Sequence, residues 1–355
     1  DSNIVRTIKT FDCAIINTIL THEYYSKIAR YIPSIWYIRE ASNVPDYCTM
    51  QHNLKMLNCL KRADTIYCVS NYASSYLQKY NKNVKVVHNC IEDRSSLVKS
   101  ERPYHSTIRF LQLGSIEPRK GYDVLLDAFS ALPEKLKSQA ELFFAGQITP
   151  NNKEYGESIV SKSLKMENVH YLGKINNDAE IANLENESDV IVVASLDESC
   201  SLVALEATMM SKALIITENV GAKYIVNQEN GIIVKTGSVE SLREAMESMI
   251  ENKDHLAEMG IASRKMYEDF ASMDKYKKDI NKMIEYEMTR HHNYVFYRIF
   301  KENLLIDFLR NLKCSASEFI NNGMCESIKL LRENYNSDIL VKIEQRVKTD
   351  GDLHD

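Results

Sequence analysis

Two glutamates, Glu198 and Glu206, stand eight positions apart in the run DESCSLVALEA, which follows the apolar segment DVIVVAS. On a regular helix this separation corresponds to about 12 Å along the axis and roughly 80° around it. Carboxylates at the two ends of such a span can hold the two ends of one elongated polar ligand, such as a nucleotide sugar. If Glu198 precedes the helix, its side chain can turn toward the same ligand. An ordinary surface helix with two carboxylates is the alternative that the spacing alone leaves open.

The residues between the two glutamates predict the start of a helix. Ser199 and Ser201 are residue types that cap helix N-termini, and the apolar run LVAL follows them. The first amides of such a helix, near Leu202 and Val203, point away from the helix and carry the positive end of its dipole. They can bind an anion without a lysine. We therefore expect a phosphate site beside Glu198.

A basic pair, Arg119 and Lys120, lies in the run FLQLGSIEPRKGYDVLLDAF. The pair follows a strand and the turn glycine Gly114, and Gly121 separates it from a predicted helix. Two cations beside a helix start can neutralise a diphosphate leaving group, and Gly121 allows a close approach of the backbone. An exposed basic turn is the alternative. The presence of both motifs at strand-to-helix turns of one predicted domain favours a shared site.

Strands and helices alternate along most of the chain, which predicts an α/β fold with parallel sheets. Up to residue 92, strands are predicted at 11–20, 33–38, 65–69 and 84–88, and helices at 21–30, 50–61 and 71–79. A second series has strands at 108–113, 141–145, 169–172, 190–193, 213–217 and 231–234, with helices at 122–131, 157–165, 178–184, 201–210 and 239–250. Six strands with intervening helices make a complete doubly wound sheet, which binds ligands at the carboxyl ends of its strands. Both glutamates follow the fourth of these strands.

The predicted domains follow this alternation. We predict a partial Rossmann-like domain at 1–92, a polar linker at 93–106 and a complete Rossmann-like domain at 107–272. A helix at 273–288 is expected to cross back to the first domain. Residues 289–355 are a predicted helical extension, because apolar residues recur at helical spacing between 295 and 312. Packing on the main body, contact with a membrane surface and the start of a further domain are the alternatives for it.

Composition limits the classes of function. The chain has 355 residues, 44% of them apolar, a formal net charge of -5 and a pI near 6.1, which argues against nucleic acid as the main partner. Its eight cysteines show no metal-ligand spacing and indicate reduced thiols in a cytosolic setting. No apolar run is long enough to span a bilayer, so we expect a soluble or peripheral protein. The first residue is Asp1; we expect an upstream part to be missing, with a processed mature protein as the alternative.

The chain resembles the retaining glycosyltransferases of family 4, which have the GT-B fold of two facing Rossmann-like lobes. The resemblance runs from about residue 11 to about residue 287 and rests on four pieces in the same order: LGSIEPRKGYDVLLDAF, VHYLGKI, SDVIVVASLDESCSLVALEATMMSKALIITENVGA and NGIIV. It implies an α/β protein of GT-B fold whose first domain is incomplete, because the glycine-rich loop that opens the first lobe in the family has no counterpart here.

The resemblance also implies residue roles. Glu198 would contact the transferred sugar and Glu206 the ribose of the nucleotide, while Lys120 and Arg119 would hold the diphosphate. Further donor contacts are implied for Gly114, Ser115, Gly173, Ile175, Ser201, Leu202 and Val203.

Several residues depart from the family pattern. Ser115 stands where an arginine is frequent, Ser201 where a glycine is usual, and Tyr224 where a glutamate is common. In the first lobe, PSIWYIREASNV resembles a strand that commonly ends in His-Glu or His-Asp at the cleft. Arg39 takes the histidine position, where it would contact a phosphate or the acceptor, or pack in a salt bridge.

The implied reaction transfers a sugar, with retention, from a nucleotide-diphosphate sugar to a hydroxyl acceptor in surface polysaccharide or glycolipid synthesis. If the departing phosphate helps to deprotonate the acceptor, the site needs cations and helix amides rather than a protein nucleophile. No metal or cofactor is expected, and the Asp-Gly-Asp run at 350–352 is interpreted as a solvated tail. Rival functions are a non-catalytic nucleotide-sugar-binding module and another GT-B enzyme, such as a phosphorylase or an epimerase. The expected location is the cytoplasm, with a peripheral position at the inner face of the membrane as the alternative.

Overall fold

A computed structural model describes residues 6–49, 54–98 and 105–310, with side chains as far as residue 291. A first compact unit ends at Glu285 and a second begins at Tyr286. The predicted helix start at residue 50, the extension beyond residue 310 and the run at 350–352 lie outside the described residues.

The first unit contains two parallel sheets. The first sheet has the order β1-β2-β3-β4, formed by β1 (Ala14–Asn17), β2 (Ser34–Ile38), β3 (Ile66–Cys68) and β4 (Val84–Val86). The second sheet has the order β10-β9-β8-β5-β6-β7, formed by β5 (Ile108–Leu113), β6 (Ala140–Ala145), β7 (Val169–Tyr171), β8 (Val190–Val193), β9 (Ala213–Thr217) and β10 (Gly231–Val234). The parts of the chain that carry these sheets are called the first lobe and the second lobe below.

Helices connect the strands in both lobes. In the first lobe they are His22–Ile28, Val44–Thr49, Leu54–Arg62 and Asn71–Leu77. In the second lobe they are Tyr122–Ser130, Glu134–Lys137, Lys153–Ser163, Asp178–Glu187, Leu202–Met209, Val239–Glu251 and Leu256–Met266. A long helix, Met273–Arg310, follows them.

The strands of the second lobe are apolar because both faces of its sheet are covered. Phe110 and Val190 are buried in one cluster, whereas Leu111 and Ile191 are buried in a different cluster. Since successive side chains of a strand point to opposite faces, the two clusters are the two sides of a three-layer α/β arrangement. The first sheet has its own core around Trp36 and Tyr67. These packed layers hold the strand ends, and the loops that leave them, in fixed positions.

Most predicted elements are present, and the differences have local causes. The first predicted strand, 11–20, is too long, because Thr18 adopts a left-handed φ of 70° and ends β1 at Asn17. The helix predicted at 157–165 begins at Lys153, directly after a short 3-10 turn at Pro150–Asn152. The helix predicted at 273–288 and the first part of the predicted helical extension form one continuous helix as far as Arg310, because no glycine or proline separates them.

Helix Leu256–Met266 was not predicted, because Gly260 interrupts its apolar pattern. A Cβ atom at Gly260 would lie 2.3 Å from the backbone oxygen of Ser211, so this helix crosses the turn after helix Leu202–Met209 at close range. Glycine is required there for packing, although it weakens the local helix propensity.

None of the six cysteines in the described part of the chain forms a disulfide bond. In the same part, none of the helices combines the length and the apolar character that crossing a bilayer requires.

Candidate active site

The order of the second sheet reverses between β5 and β8. β5 pairs with β6 on one side and with β8 on the other. Where connections leave two neighbouring parallel strands in opposite directions, a crevice opens at their carboxyl ends. The segment 114–121 leaves β5 and the segment 194–201 leaves β8. Both motifs singled out in the sequence therefore lie at this switch point.

Lys120 and Glu198 meet in this crevice. The Lys120 Nζ atom lies 2.9 Å from Glu198 Oε2, and the two side chains are only 12% and 13% exposed. The hydroxyl of Ser195 donates to the same oxygen at 2.9 Å. The pair is thus a largely desolvated cation and carboxylate, in which electrostatic forces are stronger than at the surface. Such a pair can present positive charge to a phosphate and an oxygen acceptor to a ligand hydroxyl.

Two glycines allow the lysine to reach this position. Gly114 has a φ of 133°, and a Cβ atom built on it would lie 3.5 Å from Lys120 Cε, so the lysine side chain passes against its backbone. Gly121 has a φ of 67° and would place a Cβ atom 2.2 Å from the backbone oxygen of Ala194. A side chain at Gly121 is excluded by both the left-handed conformation and the contact.

Backbone hydrogen bonds join the two loops directly. The Leu196 N–H donates to the Arg119 carbonyl at 2.8 Å. The side chain of Gln112, on β5, donates to the Lys120 carbonyl at 3.0 Å and accepts from the Ala194 N–H at 3.2 Å. Lys120 and Glu198 consequently belong to one rigid unit, although they are far apart in sequence.

Arg119 is more exposed than Lys120, and its contacts lie at the rim of the crevice. Its Nη2 atom lies 2.7 Å from Glu117 Oε1, and its Nη1 donates to the Asp197 carbonyl at 3.3 Å. Ser115 donates to the same Glu117 oxygen at 2.9 Å. The Arg119 side chain is 46% exposed. It can therefore exchange its Glu117 contact for a ligand anion at a modest cost.

The predicted helix start is present between the two glutamates. Helix Leu202–Met209 begins after Ser201, whose buried side chain accepts from the Ala204 N–H and caps the helix. Glu198 precedes the helix, as the first interpretation required. Leu202 is half exposed and Val203 half buried. The first turn of this helix therefore opens beside Glu198 and can attract an anion.

Glu206 lies within this helix and is held by Arg94. Its Oε1 atom forms an ion pair with Arg94 Nη2, while Arg94 Nη1 lies 3.2 Å from Asp178 Oδ2. Burial raises the pKa of the Glu206 carboxyl, and the guanidinium of Arg94 opposes that rise. The structure thus places Glu206 in a cluster with Arg94, a residue that the sequence analysis assigned only to a linker. Asp93 next to it also binds the second lobe, with its Oδ2 atom 2.5 Å from Arg264 Nη2.

A buried carboxylate lies behind this cluster. Glu185 is 1% exposed, and its Oε1 atom has no hydrogen-bond partner among the described residues. Burial raises the pKa of Glu185 to about 8, with a further rise from Glu206 and opposing effects of Arg94 and Lys212. Near neutral pH, the protonated form of this carboxyl is therefore favoured in the folded protein.

Substituting Glu185→Gln should weaken the pH dependence of stability. The carboxyl has a pKa of about 8 when folded and about 4.3 when unfolded. Below the lower value both states bind the proton; between the two values the unfolded state loses it first, so the free energy of unfolding falls as the pH rises. Well above pH 8 both states have lost the proton, and this carboxyl no longer changes the free energy of unfolding with pH. From pH 5 to pH 8, wild type should lose at least about 1 kcal/mol more than the variant.

Denaturant unfolding at the two pH values measures this difference. Glu187→Gln, on the same helix but with a more exposed carboxylate, is the matched control and should follow the wild-type profile. Parallel profiles for wild type and Glu185→Gln would show that Glu185 does not titrate between these pH values.

The remaining predicted donor residues lie at the edge of the second sheet. Gly173 follows β7, has a φ of 72° and accepts from the Gly146 N–H at 2.9 Å. A Cβ atom on Gly173 would meet no atom within 4 Å, so its surroundings are open. Ile175 is half buried. The structure gives no direct contact between this pair and the Lys120–Glu198 pair.

Arg39 lies at the carboxyl end of the first sheet, directly after β2. Its guanidinium donates to the side-chain oxygens of Asn17 and Asn89, each at 2.9 Å, and lies over the ring of Tyr37. Glu40 accepts instead from Thr18 and from the Ile19 N–H. Neutral amides orient Arg39 without cancelling its charge, so its exposed guanidinium can bind an anion.

Sequence reasoning missed three residues of the site. Ser195 binds Glu198 and Arg94 binds Glu206 through their side chains, whereas Asp197 accepts from Arg119 on its backbone carbonyl. Ser195 was detectable in the sequence, since it is a hydroxyl residue two positions after a buried strand. Arg94 had none, because its partners lie in other elements. Among the described residues, no group of three or more His, Cys, Asp or Glu side chains has a metal-binding arrangement.

Comparison with known proteins finds similarity to glycosyltransferases. Residues 93–266 match the family described as "Glycosyl transferases group 1". An uncharacterized glycosyltransferase of Methanocaldococcus jannaschii is 25% identical over 227 residues, which cover 63% of this chain and 60% of that protein. The lipopolysaccharide glucosyltransferase WaaG of Escherichia coli is 30% identical over 138 residues, covering 38% and 35%. The chain thus spans about 60% or less of the length of these two curated relatives.

The fold is also that of solved structures. HepE of Anabaena, in complex with UDP, superposes with a TM-score of 0.69 at 18% sequence identity, over 80% of this chain and 81% of that one. At this identity the match shows the fold alone. It confirms the GT-B architecture that the sequence resemblance implied.

Proposed function

We propose, from the premise that residues 93–266 belong to the glycosyl transferases group 1 family, that this chain carries the donor site of a retaining glycosyltransferase. The enzyme would move a sugar from a nucleotide-diphosphate sugar to a hydroxyl acceptor. The observation that carries the proposal is the desolvated contact of Lys120 with Glu198 at the switch point of the second sheet. Neither the family nor the fold alone specifies a site, so the proposal depends on this contact.

Lys120 supplies the charge that the leaving group needs. When the bond between the sugar and the diphosphate breaks, negative charge develops on the departing phosphate oxygen. A buried ammonium already oriented by Glu198 stabilises that charge with little reorganisation. Arg119 and the first amides of helix Leu202–Met209 add to the same field. This arrangement requires no metal ion to neutralise the diphosphate.

Glu198 is proposed to orient the sugar. Both contacts of its carboxylate, from Lys120 and Ser195, are made to Oε2. We assign Oε1 to a hydroxyl of the transferred sugar. A carboxylate that already accepts from a cation is a weaker nucleophile, so the contacts favour same-face attack by the acceptor, with the departing phosphate receiving its proton.

Glu206 and Arg94 are proposed to lie at the ribose. The carboxylate of Glu206 is the hydrogen-bond acceptor that ribose hydroxyls require, and its Arg94 contact fixes its orientation and opposes protonation. Arg39 is proposed to bind a phosphate or the acceptor from the first lobe. An acceptor in surface polysaccharide or glycolipid synthesis, and a location at the cytoplasmic face of a membrane, are further parts of the proposal.

Incubation of the full chain with UDP-sugars tests the proposal. UDP is the first nucleotide to use because the HepE complex contains it. We expect UDP to bind in isothermal titration, and we expect UDP to be released from one of the UDP-sugars. Binding without any turnover of a panel of nucleotide sugars would indicate a non-catalytic binding module. If no nucleoside diphosphate binds, the donor-site proposal is wrong.

A further inference from the structure

The loop that carries Glu198 is also bound by the first lobe. Asp197, the residue before Glu198, accepts from the hydroxyl of Tyr72 at 2.6 Å on Oδ1 and from the hydroxyl of Ser42 on Oδ2. Ser199, the residue after Glu198, accepts on its carbonyl from the hydroxyl of Ser70 at 2.6 Å. The first lobe therefore binds both neighbours of Glu198, Asp197 through its side chain and Ser199 through its backbone carbonyl.

The three hydroxyls come from two loops at the carboxyl end of the first sheet. Ser42 follows β2, whereas Ser70 caps helix Asn71–Leu77 after β3 and Tyr72 lies in its first turn. Ser70 also accepts from the Ala73 N–H at 3.1 Å, which fixes its hydroxyl. Burial and the hydrogen bond to Asp197 both raise the pKa of Tyr72, so its hydroxyl stays protonated and remains a donor. These donors are thus set by first-lobe elements alone.

The other side of the loop is held by the second lobe. The Glu198 N–H donates to the Asn219 carbonyl at 3.3 Å, and the Glu198 carbonyl accepts from the Gly221 N–H at 2.8 Å. Arg119 donates to the Asp197 carbonyl at 3.3 Å. Without the first lobe, the side chain of Asp197 would lose two hydroxyl donors. A partly buried carboxylate without donors is unfavourable, so Asp197 should reorient toward water, and we expect the adjacent backbone of Glu198 to shift with it.

We propose that Asp197 is a positioning residue that makes the orientation of Glu198 depend on its contacts with Ser42 and Tyr72 of the first lobe. Asp197 does not touch the donor; it acts through the backbone of the adjacent Glu198. This inference rests on the proposed function and deepens it. It predicts that the first lobe contributes to sugar transfer even when the nucleotide is bound by second-lobe residues.

The test compares hydroxyl deletions that keep the rest of each side chain. Tyr72→Phe should lower kcat for sugar transfer by about tenfold, because misplacement of a positioned group slows chemistry. The Kd for UDP should change by less than about twofold, since Lys120, Arg119 and Glu206, which are proposed to bind the nucleotide, lie in the second lobe. Tyr155→Phe is the matched control. It removes another Tyr–Asp hydrogen bond, Tyr155 to Asp123 at 3.0 Å, that lies wholly within the second lobe, and kcat should not change.

Three further variants separate positioning from folding. Asp197→Asn keeps one oxygen as an acceptor and should be milder than Asp197→Ala. The double variant Ser42→Ala with Tyr72→Phe should be no slower than Asp197→Ala, because both hydroxyls act through the same carboxylate. Equal kcat for wild type and Tyr72→Phe, or a fall in UDP affinity as large as the fall in kcat, overturns the inference. Wild-type protein that turns over no nucleotide sugar overturns the proposed function itself.

Discussion

Replacing Lys120 with alanine should lower kcat/KM for sugar transfer by about 10²–10³-fold, the effect of removing one preorganised group that stabilises developing charge. Lys120 Nζ is the desolvated cation at the switch point, held 2.9 Å from Glu198. Its removal deprives the departing phosphate of its nearest proposed counter-charge. It also leaves the Glu198 carboxylate repelling that phosphate. Steady-state release of UDP from the productive UDP-sugar, with wild type in parallel, measures the loss.

Conservative variants divide this effect into charge and geometry. Lys120→Arg keeps the charge but cannot reproduce the position of a single ammonium next to Gly114, so it should recover only part of the rate. Glu198→Gln keeps the size of the side chain and should lower kcat more than it raises KM, if the carboxylate orients the sugar in the transition state. A covalent sugar adduct trapped on Glu198 in wild type would instead assign it as the nucleophile.

A second lysine provides the control for general effects of losing an ion pair. Lys162 pairs with Asp127 between helices Tyr122–Ser130 and Lys153–Ser163, and it is more exposed than Lys120. Lys162→Ala should therefore leave kcat/KM unchanged and alter the free energy of unfolding by less than about 1 kcal/mol. Full activity of Lys120→Ala in the same assay would contradict the proposed role of the lysine.

The positions of Lys120 and Glu198 were predictable because local sequence determines them. Each lies in a turn directly after an apolar strand, and β5 and β8 have the bounds that the hydrophobic pattern indicated. In an alternating α/β chain, the loops after such strands meet at one edge of the sheet. Gly114 before the turn and Gly121 after Lys120 show in the sequence where the backbone needs a positive φ.

The contacts of Glu206 and Asp197 were not predictable in the same way. Arg94 lies in a polar segment without periodicity, and its partner Glu206 is in a helix of the second lobe. Tyr72 resembles any aromatic residue in a short helix, and only the arrangement of the two lobes brings its hydroxyl to Asp197. Side-chain pairs between elements depend on how layers pack, which a residue pattern within one element does not encode.

Substituting Gly221→Ala should lower sugar transfer by at least about a hundredfold, because the loop around Glu198 has no room for one more carbon. A Cβ atom at Gly221 would lie 1.8 Å from the Ser199 carbonyl oxygen and 2.4 Å from Ser70 Oγ. The first contact is with backbone, which cannot rotate away as a flexible side chain can. The Gly221 N–H also donates to the Glu198 carbonyl. Displacing this turn therefore moves the backbone of Glu198 and disrupts the adjacent hydrogen bond from Ser70 to the Ser199 carbonyl.

Gly237→Ala separates this crowding from backbone strain. Gly221 does not have a left-handed φ. Alanine there should therefore lower the free energy of unfolding by about 1–3 kcal/mol through steric contact alone. Gly237 has a φ of 72°, and its Cβ atom would approach only Leu196 Cδ2, at 3.8 Å. Alanine at Gly237 should cost about 1–2 kcal/mol through conformation and leave kcat near that of wild type. If Gly221→Ala and Gly237→Ala have similar stabilities but very different kcat values, the defect of Gly221→Ala lies in the Glu198 loop. Equal kcat values for the two variants would show that this loop tolerates displacement.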